Sequence, residues 1–269
     1  MTRNRLAFHA AAAGVLAAAC TTLSASAQNV FDDFTSGTDA GWTHNDGYAL
    51  LYGQPSTYRV SGGAYRITTP TVLFNGAYPY VGAVRSGTLA SNSVVSVDVV
   101  DWSGQSSFGL GARLQADYSF YGVYFTPVSL LQNNASNFRI IRHNFNASTY
   151  SYEETIIAGG TPFPQVDQNQ DYRITFTLSG TSLWATLTNI QTGALVSSLS
   201  VVDDGAGSFQ GAGLAGLNLI TNGGGVGSLM GGYSATFDNF SVTPVPGPGA
   251  AALGAIGLMA ARRRRRSTR

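Results

Sequence analysis

The residue types able to do acid–base chemistry are few. The chain has two glutamates, Glu153 and Glu154, and they are adjacent. A retaining glycosidase needs two carboxyls about 5 Å apart, one as acid and one as nucleophile. Neighbours on a strand point to opposite faces, so these two do not make such a pair. Asp98 and Asp101, in V-D-V-V-D, are the next candidates. Their three-residue spacing also splits them between faces. A Ser/His/Asp triad has no G-x-S-x-G elbow to carry it. For metals, His44 and His143 are far apart in sequence, and the single cysteine, Cys20, sits near the N-terminus. That is not a zinc pattern. Calcium asks only for Asp and Asn oxygens with backbone carbonyls. Asp32-Asp33 and Asp238-Asn239 would supply them if the end strands pair, with Asp32 and Asp238 as the ligands; the same residues also suit solvated strand ends. Gly223-Gly224-Gly225 lacks the Lys and the helix of a phosphate loop and reads as a turn.

Sugar binding needs aromatic faces to stack on pyranose rings and polar groups to bond the hydroxyls. Asp101 and Trp102 lie beside Ser103-Gly104-Gln105, and Asp117-Tyr118 precedes Tyr121. Asp101, Trp102 and Tyr118 are therefore the candidate glycan-binding residues. Most other aromatics are expected in the core, Trp184 among them, because it lies midway along a strand.

The elements that must position these residues are strands. Residues 30–34 (V-F-D-D-F) alternate apolar and acidic, which suits a strand with one wet face. Residues 37–47 are polar and turn-rich. Residues 58–60 and 65–68 flank Ser61-Gly62-Gly63 and predict a hairpin. Residues 70–79 read as loop. Residues 94–100 (V-V-S-V-D-V-V) are β-branched enough for a central strand. Alternation at Phe108, Leu110, Ala112 and Leu114 predicts another, followed by strands at 121–125 and 138–143, with Arg139 and His143 facing away from Phe138 and Ile140.

Residues 172–202 predict a three-strand meander with Ile174, Phe176, Leu178, Leu183, Ala185 and Leu187 inside, or their out-of-phase partners. Strands at 214–220 and 233–242 close the domain. With no helical periodicity and no solenoid repeat, the pattern is all-β: an antiparallel β-sandwich or jelly roll.

Both ends differ from this middle. Residues 1–5 are basic, 6–19 are Ala-rich and apolar, and Ala25-Ser26-Ala27 is an A-x-A site. This is the pattern of a secretory signal peptide, residues 1–27, cleaved after Ala27. The competing reading, a lipidated Cys20, has Ala17 where a larger aliphatic belongs. At the other end, residues 244–269 run from a Pro/Gly segment through the uncharged residues 250–261 into Arg262 to Arg266. The apolar run is shorter than the ~20 residues that cross a bilayer, and its cationic stop would sit on the cytoplasmic side. Between the ends, residues 28–243 hold seven arginines, no lysine and all fourteen acids, a net charge of −7. With no basic face for phosphates, nucleic acid is not the partner. With no cysteine, no disulfide supports the fold.

The tail resembles the PEP-CTERM sorting signal, on Val245, Pro246 and Pro248, the apolar run, and the block that includes Arg262, Arg263 and Arg264. The family's usual Glu between the prolines is Gly247 here. The resemblance implies handling by a membrane exosortase-like enzyme, transient anchoring in the inner membrane, and delivery to the cell surface or extracellular matrix. A second resemblance covers the middle. Y-R-I-T-F-T-L-S-G-T-S-L-W-A-T-L-T-N-I-Q-T-G at 172–193 and F-D-N-F-S-V at 237–242 look like the late strands of concanavalin A-like lectin/glucanase (LamG-like) domains. That resemblance implies pairing of the closing strand with the opening one, and a fold shared by lectins, glycosidases and adhesion modules. The glucanase motif E-x-D-x-x-E is absent. The combined expectation is an exported, non-enzymatic matrix or surface protein that needs no cofactor and binds extracellular polysaccharide. A degenerate glycosidase-like enzyme and a purely structural matrix protein are the alternatives.

Overall fold

The computed structural model describes residues 29–74, 79–104, 106–129, 135–146, 148, 151–221 and 228–245. Ala25, Ala27, Pro246, Pro248, Arg262, Arg263, Arg264 and the glycine turn at 223–225 lie outside them.

The valine-rich stretch becomes β7 (Ser93–Ser103), which runs between β12 (Tyr172–Ser179) and β17 (Ser234–Pro244). Its Val95, Val97 and Val99 are fully buried. The first sheet continues from β12 to β13 (Ser182–Asn189) and β14 (Leu195–Val202), and from β17 to β4 (Ala64–Thr68) and β3 (Thr57–Ser61). Gly62 and Gly63, at φ 63° and 77°, make the two-residue turn between β3 and β4. The opening strand β1 (Val30–Asp32) pairs with β17, Val30 opposite Val242, as expected.

The second sheet has the order β11 (Ser151–Gly159), β10 (Ala135–Asn146), β9 (Phe120–Ser129), β8 (Ser106–Leu114), β15 (Gly213–Thr221), β6 (Tyr80–Ala90) and β2 (Trp42–Asp46). The paired strands in both sheets are antiparallel. Their inner faces meet in one core that includes Phe108, Leu110, Val123, Phe125, Leu217 and Leu219. Burying each such side chain stabilises the fold by about 2 kcal/mol.

Of the two phases open to the meander, it takes the one with Leu183, Ala185 and Leu187 buried. That phase puts Trp184 outside, where it is 44% exposed, so its expected core position is corrected: it stands opposite Thr177 and Ser200 on the solvent face. The turn-rich segment 37–47 holds β2, and a short helix, α1 (Gly47–Tyr52), follows it. Asp46 caps α1 by accepting from the Tyr48 and Ala49 N–H groups. The expected loop at 70–79 contains β5 (Thr71–Leu73), paired with β16 (Leu229–Gly231) in a two-stranded ribbon.

Polar contacts join the sheets at one end. The Tyr121 hydroxyl donates to Asp203 at 2.6 Å, and Arg142 pairs with the same carboxylate at 3.0 Å. Arg113 is buried at φ 51° and donates to the carbonyls of Ser91, Phe209 and Gly180 at 2.6–2.8 Å. Burial lowers its pKa.

Candidate functional site

Strands β11 and β6 stand five spacings apart, about 24 Å in a flat sheet. The rings of Tyr152 on β11 and Tyr80 on β6 are nevertheless 5.3 Å apart. The second sheet therefore curls, and its outer face is concave. The curl closes a second, aromatic core on that face. His143 stacks on Phe120 at 4.4 Å and meets Tyr124 and Tyr152 edge-on. The Asn218 amide is hydrogen-bonded to the Tyr80 hydroxyl. Two paired glycines make room beneath: a Cβ on Gly122 would sit 2.3 Å from the Tyr124 ring, and one on Gly111 would sit 2.7 Å from Asn218.

This cluster contains Arg139, His143, Glu154 and three tyrosines, which are acid–base residue types. Their environment removes that chemistry. His143 has no exposed surface, and burial, then Arg139, pushes its pKa down to about 3. Glu154 approaches its Nδ1 at 3.5 Å without making a hydrogen bond. Burial pushes the Glu154 carboxyl up and holds the Tyr80 and Tyr124 phenols protonated. A substrate does not reach His143 in this arrangement, so the cluster serves as packing.

Beside the sealed cluster, the concave face stays open in a groove of about 870 Å³ that follows β6 from Tyr80 to Leu89. Leucines form much of its wall: Leu50 and Leu51 of α1, Leu89, Leu114 and Leu214. Thr43, Asn45, Ser86 and Gln115 bring polar groups to it. Tyr118 lines it from the β8–β9 turn, 53% exposed and edge-on to Phe145 at 5.6 Å. Its φ is 68°, the left-handed region that a bulky residue seldom enters. The turn holds it there: the Tyr118 N–H donates to the Gln115 carbonyl, and the Ser119 N–H donates to Asp117.

Of the candidate glycan-binding residues, Tyr118 alone faces this groove; His44, singled out as a candidate metal ligand, also lines it. Trp102 does not join it, and its expected stacking role is corrected. It is 6% exposed, turned inward from β7 and packed on Phe108, Phe125 and Tyr172, so no sugar ring can reach its face. Asp101, one residue earlier, points to solvent and pairs with Arg66 at 3.5 Å. The two glutamates stand opposite Asn144 and His143 on alternate faces of β11. Asp98 is buried under Arg173, which grips it at 2.6 and 2.8 Å.

Asp32 and Asp238 lie on paired strands, but their carboxylates have different neighbours. Asp32 accepts from the Phe34 N–H and from Trp42 Nε1 and lies 3.3 Å from Arg85. The Asp238 carboxyl is raised by burial, with Asp98 and Asp33 adding to the shift. Among the described residues, no group of three or more His, Cys, Asp or Glu is placed to hold a metal. Nor is any helix among them long and apolar enough to cross a membrane.

Sequence reasoning missed most of the groove. Much of its wall comes from β6 and α1, neither of which announced itself by alternation.

No family model matches the chain, and no curated protein matches it. Solved structures do. A CBM2 module of the evolved Dit of Lactobacillus casei BL23 phage J-1 is 14% identical with a TM-score of 0.50, over 79% of this chain and 93% of that one. A Lotus tetragonolobus seed lectin is 12% identical with a TM-score of 0.48, over 80% and 97%. An alginate lyase bound to an alginate tetrasaccharide is 10% identical with a TM-score of 0.45, over 81% and 98%. At these identities the likeness is one of fold alone, a two-sheet antiparallel sandwich, and a fold does not name an activity.

Proposed function

We propose that the chain is an exported, non-catalytic, glycan-binding β-sandwich, delivered to the cell surface or the surrounding matrix. The observation that carries the binding role is Tyr118, an aromatic face held in a strained backbone conformation at an open groove with amide and hydroxyl groups beside it. Strain of this kind is kept where function needs it. A sugar ring would stack on Tyr118, and Gln115 and Asn45 would bond its hydroxyls. The non-catalytic reading rests on the carboxylates: Glu153 and Glu154 face apart, Asp98 is committed to Arg173, and His143 is sealed.

Export rests on the sequence of the two ends. Residues 1–27 are the leader, 28–243 the sandwich, and 244–269 the sorting segment handled by an exosortase-like membrane enzyme. β17 ends at Pro244, so the proposed sorting segment shares its first residue with the last strand. Calcium at Asp32 and Asp238 stays a proposal, and Asp32 would have to give up Trp42 and Arg85 to bind it.

The test is a glycan array on residues 28–245, with and without calcium. A saturable hit abolished by Tyr118→Ala and untouched by Trp102→Phe is expected. Absence of any hit in both conditions would favour the structural matrix protein. Turnover of a bound glycan would favour the enzyme.

A further inference from the structure

The groove is too apolar for a sugar alone. Leu50 is 65% exposed and Leu89 56% exposed, both on its walls, with Leu51, Leu114 and Leu214 beside them. Leaving this surface in water costs about 25 cal/mol for each Å². The place where the described chain ends identifies an occupant. The Val245 N–H donates at 3.0 Å to the carbonyl of Asn92, in the turn that follows β6. Asn92 is three residues past Leu89, at most about 10 Å of chain. Residues 246–269 therefore leave the sandwich beside one end of the groove.

Residues 250–261, A-A-A-L-G-A-I-G-L-M-A-A, hold no charge. As a helix they would measure about 18 Å. The groove follows β6, a strand of eleven residues, on the order of 35 Å in extent. The four residues 246–249 span about 13 Å, enough to carry the run into it. The charges agree as well. Arg262 to Arg266 would reach the far end, where Tyr152 lines the groove and Glu154 lies on the same face of β11, its side chain 47% exposed.

From these four points, we infer that the groove is the docking site for this chain's own residues 250–261. The tail shelters its apolar run there until a membrane or a processing enzyme takes it. The docking itself needs no sugar.

The experiment uses the chain from Gln28 to Arg269, which has no native cysteine. A spin label is placed at Ala255→Cys, and amide peaks are followed by NMR. The amides of Val84, Leu89, Tyr118 and Leu214 should lose most of their intensity, and those of Trp184 and Thr186 on the far sheet should not. Leu50→Asp with Leu89→Asp, both at exposed positions, should restore the groove peaks. Uniform intensities, or losses centred on the far sheet, would overturn the inference. So would losses that appear only when labelled chain is mixed with a second, unlabelled copy, because the contact would then be between molecules. Sugar binding by residues 28–245 is measured separately. If it holds while the groove peaks stay intact, the docking fails alone; the reverse pattern removes the glycan reading and keeps the docking.

Discussion

Removing His143 by His143→Phe should abolish a large acid sensitivity. In the fold the imidazole is held to a pKa of about 3, against an ordinary 6.5. The folded state thus refuses a proton that the unfolded chain takes up below 6.5. Stability is undiminished above 6.5 and is lost as pH falls from there towards 3. The full loss is about 5 kcal/mol, and at pH 5 about 2 kcal/mol of it has been felt. The facing groups are Arg139, Glu154, Tyr80, Tyr124 and Tyr152, with Phe120 stacked on the ring. Raised carboxyls at Glu154 and Asp238 act the other way, gaining stability as pH falls. They are present in both proteins, so the comparison removes them. Phenylalanine fills nearly the same space and keeps the stack. The assay is urea unfolding between pH 7.5 and 4.5 for both proteins. The wild-type chain should lose about 2 kcal/mol more than His143→Phe between pH 7 and pH 5. Parallel profiles, or an imidazole that titrates near 6.5 by NMR, would refute the sealed cluster.

Tyr118→Gly should relieve the left-handed backbone and raise stability by about 1 kcal/mol in thermal unfolding, while abolishing glycan binding. Arg113→Met strands three buried carbonyls and should lower stability by about 3 kcal/mol in urea. Gly122→Ala drives a methyl into the Tyr124 ring and should cost 1–3 kcal/mol, read in the same assay. Trp184→Ser should change stability by less than about 0.5 kcal/mol, since the ring stands on the solvent face.

The sandwich was legible because its first sheet follows period two. The 172–202 meander and the valines of β7 each alternate or crowd as a half-buried or central strand must. β6 was not legible. Its Y-V-G-A-V-R-S-G-T-L-A mixes glycine into both faces, and the reason appears only once Tyr80 and Asn218 are seen lying over that floor. Trp184 reads as core by its size, but buried Leu183 and Ala185 set the phase that turns it outward. Trp102 is the opposite case: the turn beside it suggests exposure, but its ring turns in against Phe125. In the site, Tyr118 stood out as an aromatic in a polar turn. The leucine wall could not, because it is assembled from α1, β6, β8 and β15, which are distant in sequence and meet only when the second sheet curls.

The position of β17 has a consequence in time. The last strand of the domain lies between β7 and β4 and also carries β1. A chain that emerges N-terminus first, from a ribosome or through a secretion channel, presents β4 and β7 with bare edges until residues 234–244 are out. Long-range closure of this kind is slow, and it leaves edges exposed to other chains. The segment that follows directly behind β17 is the one we propose as a sorting tail. On that proposal, completion of the sheet and presentation of the tail are a single event, and a chain stalled before it would neither hide its edges nor offer its address.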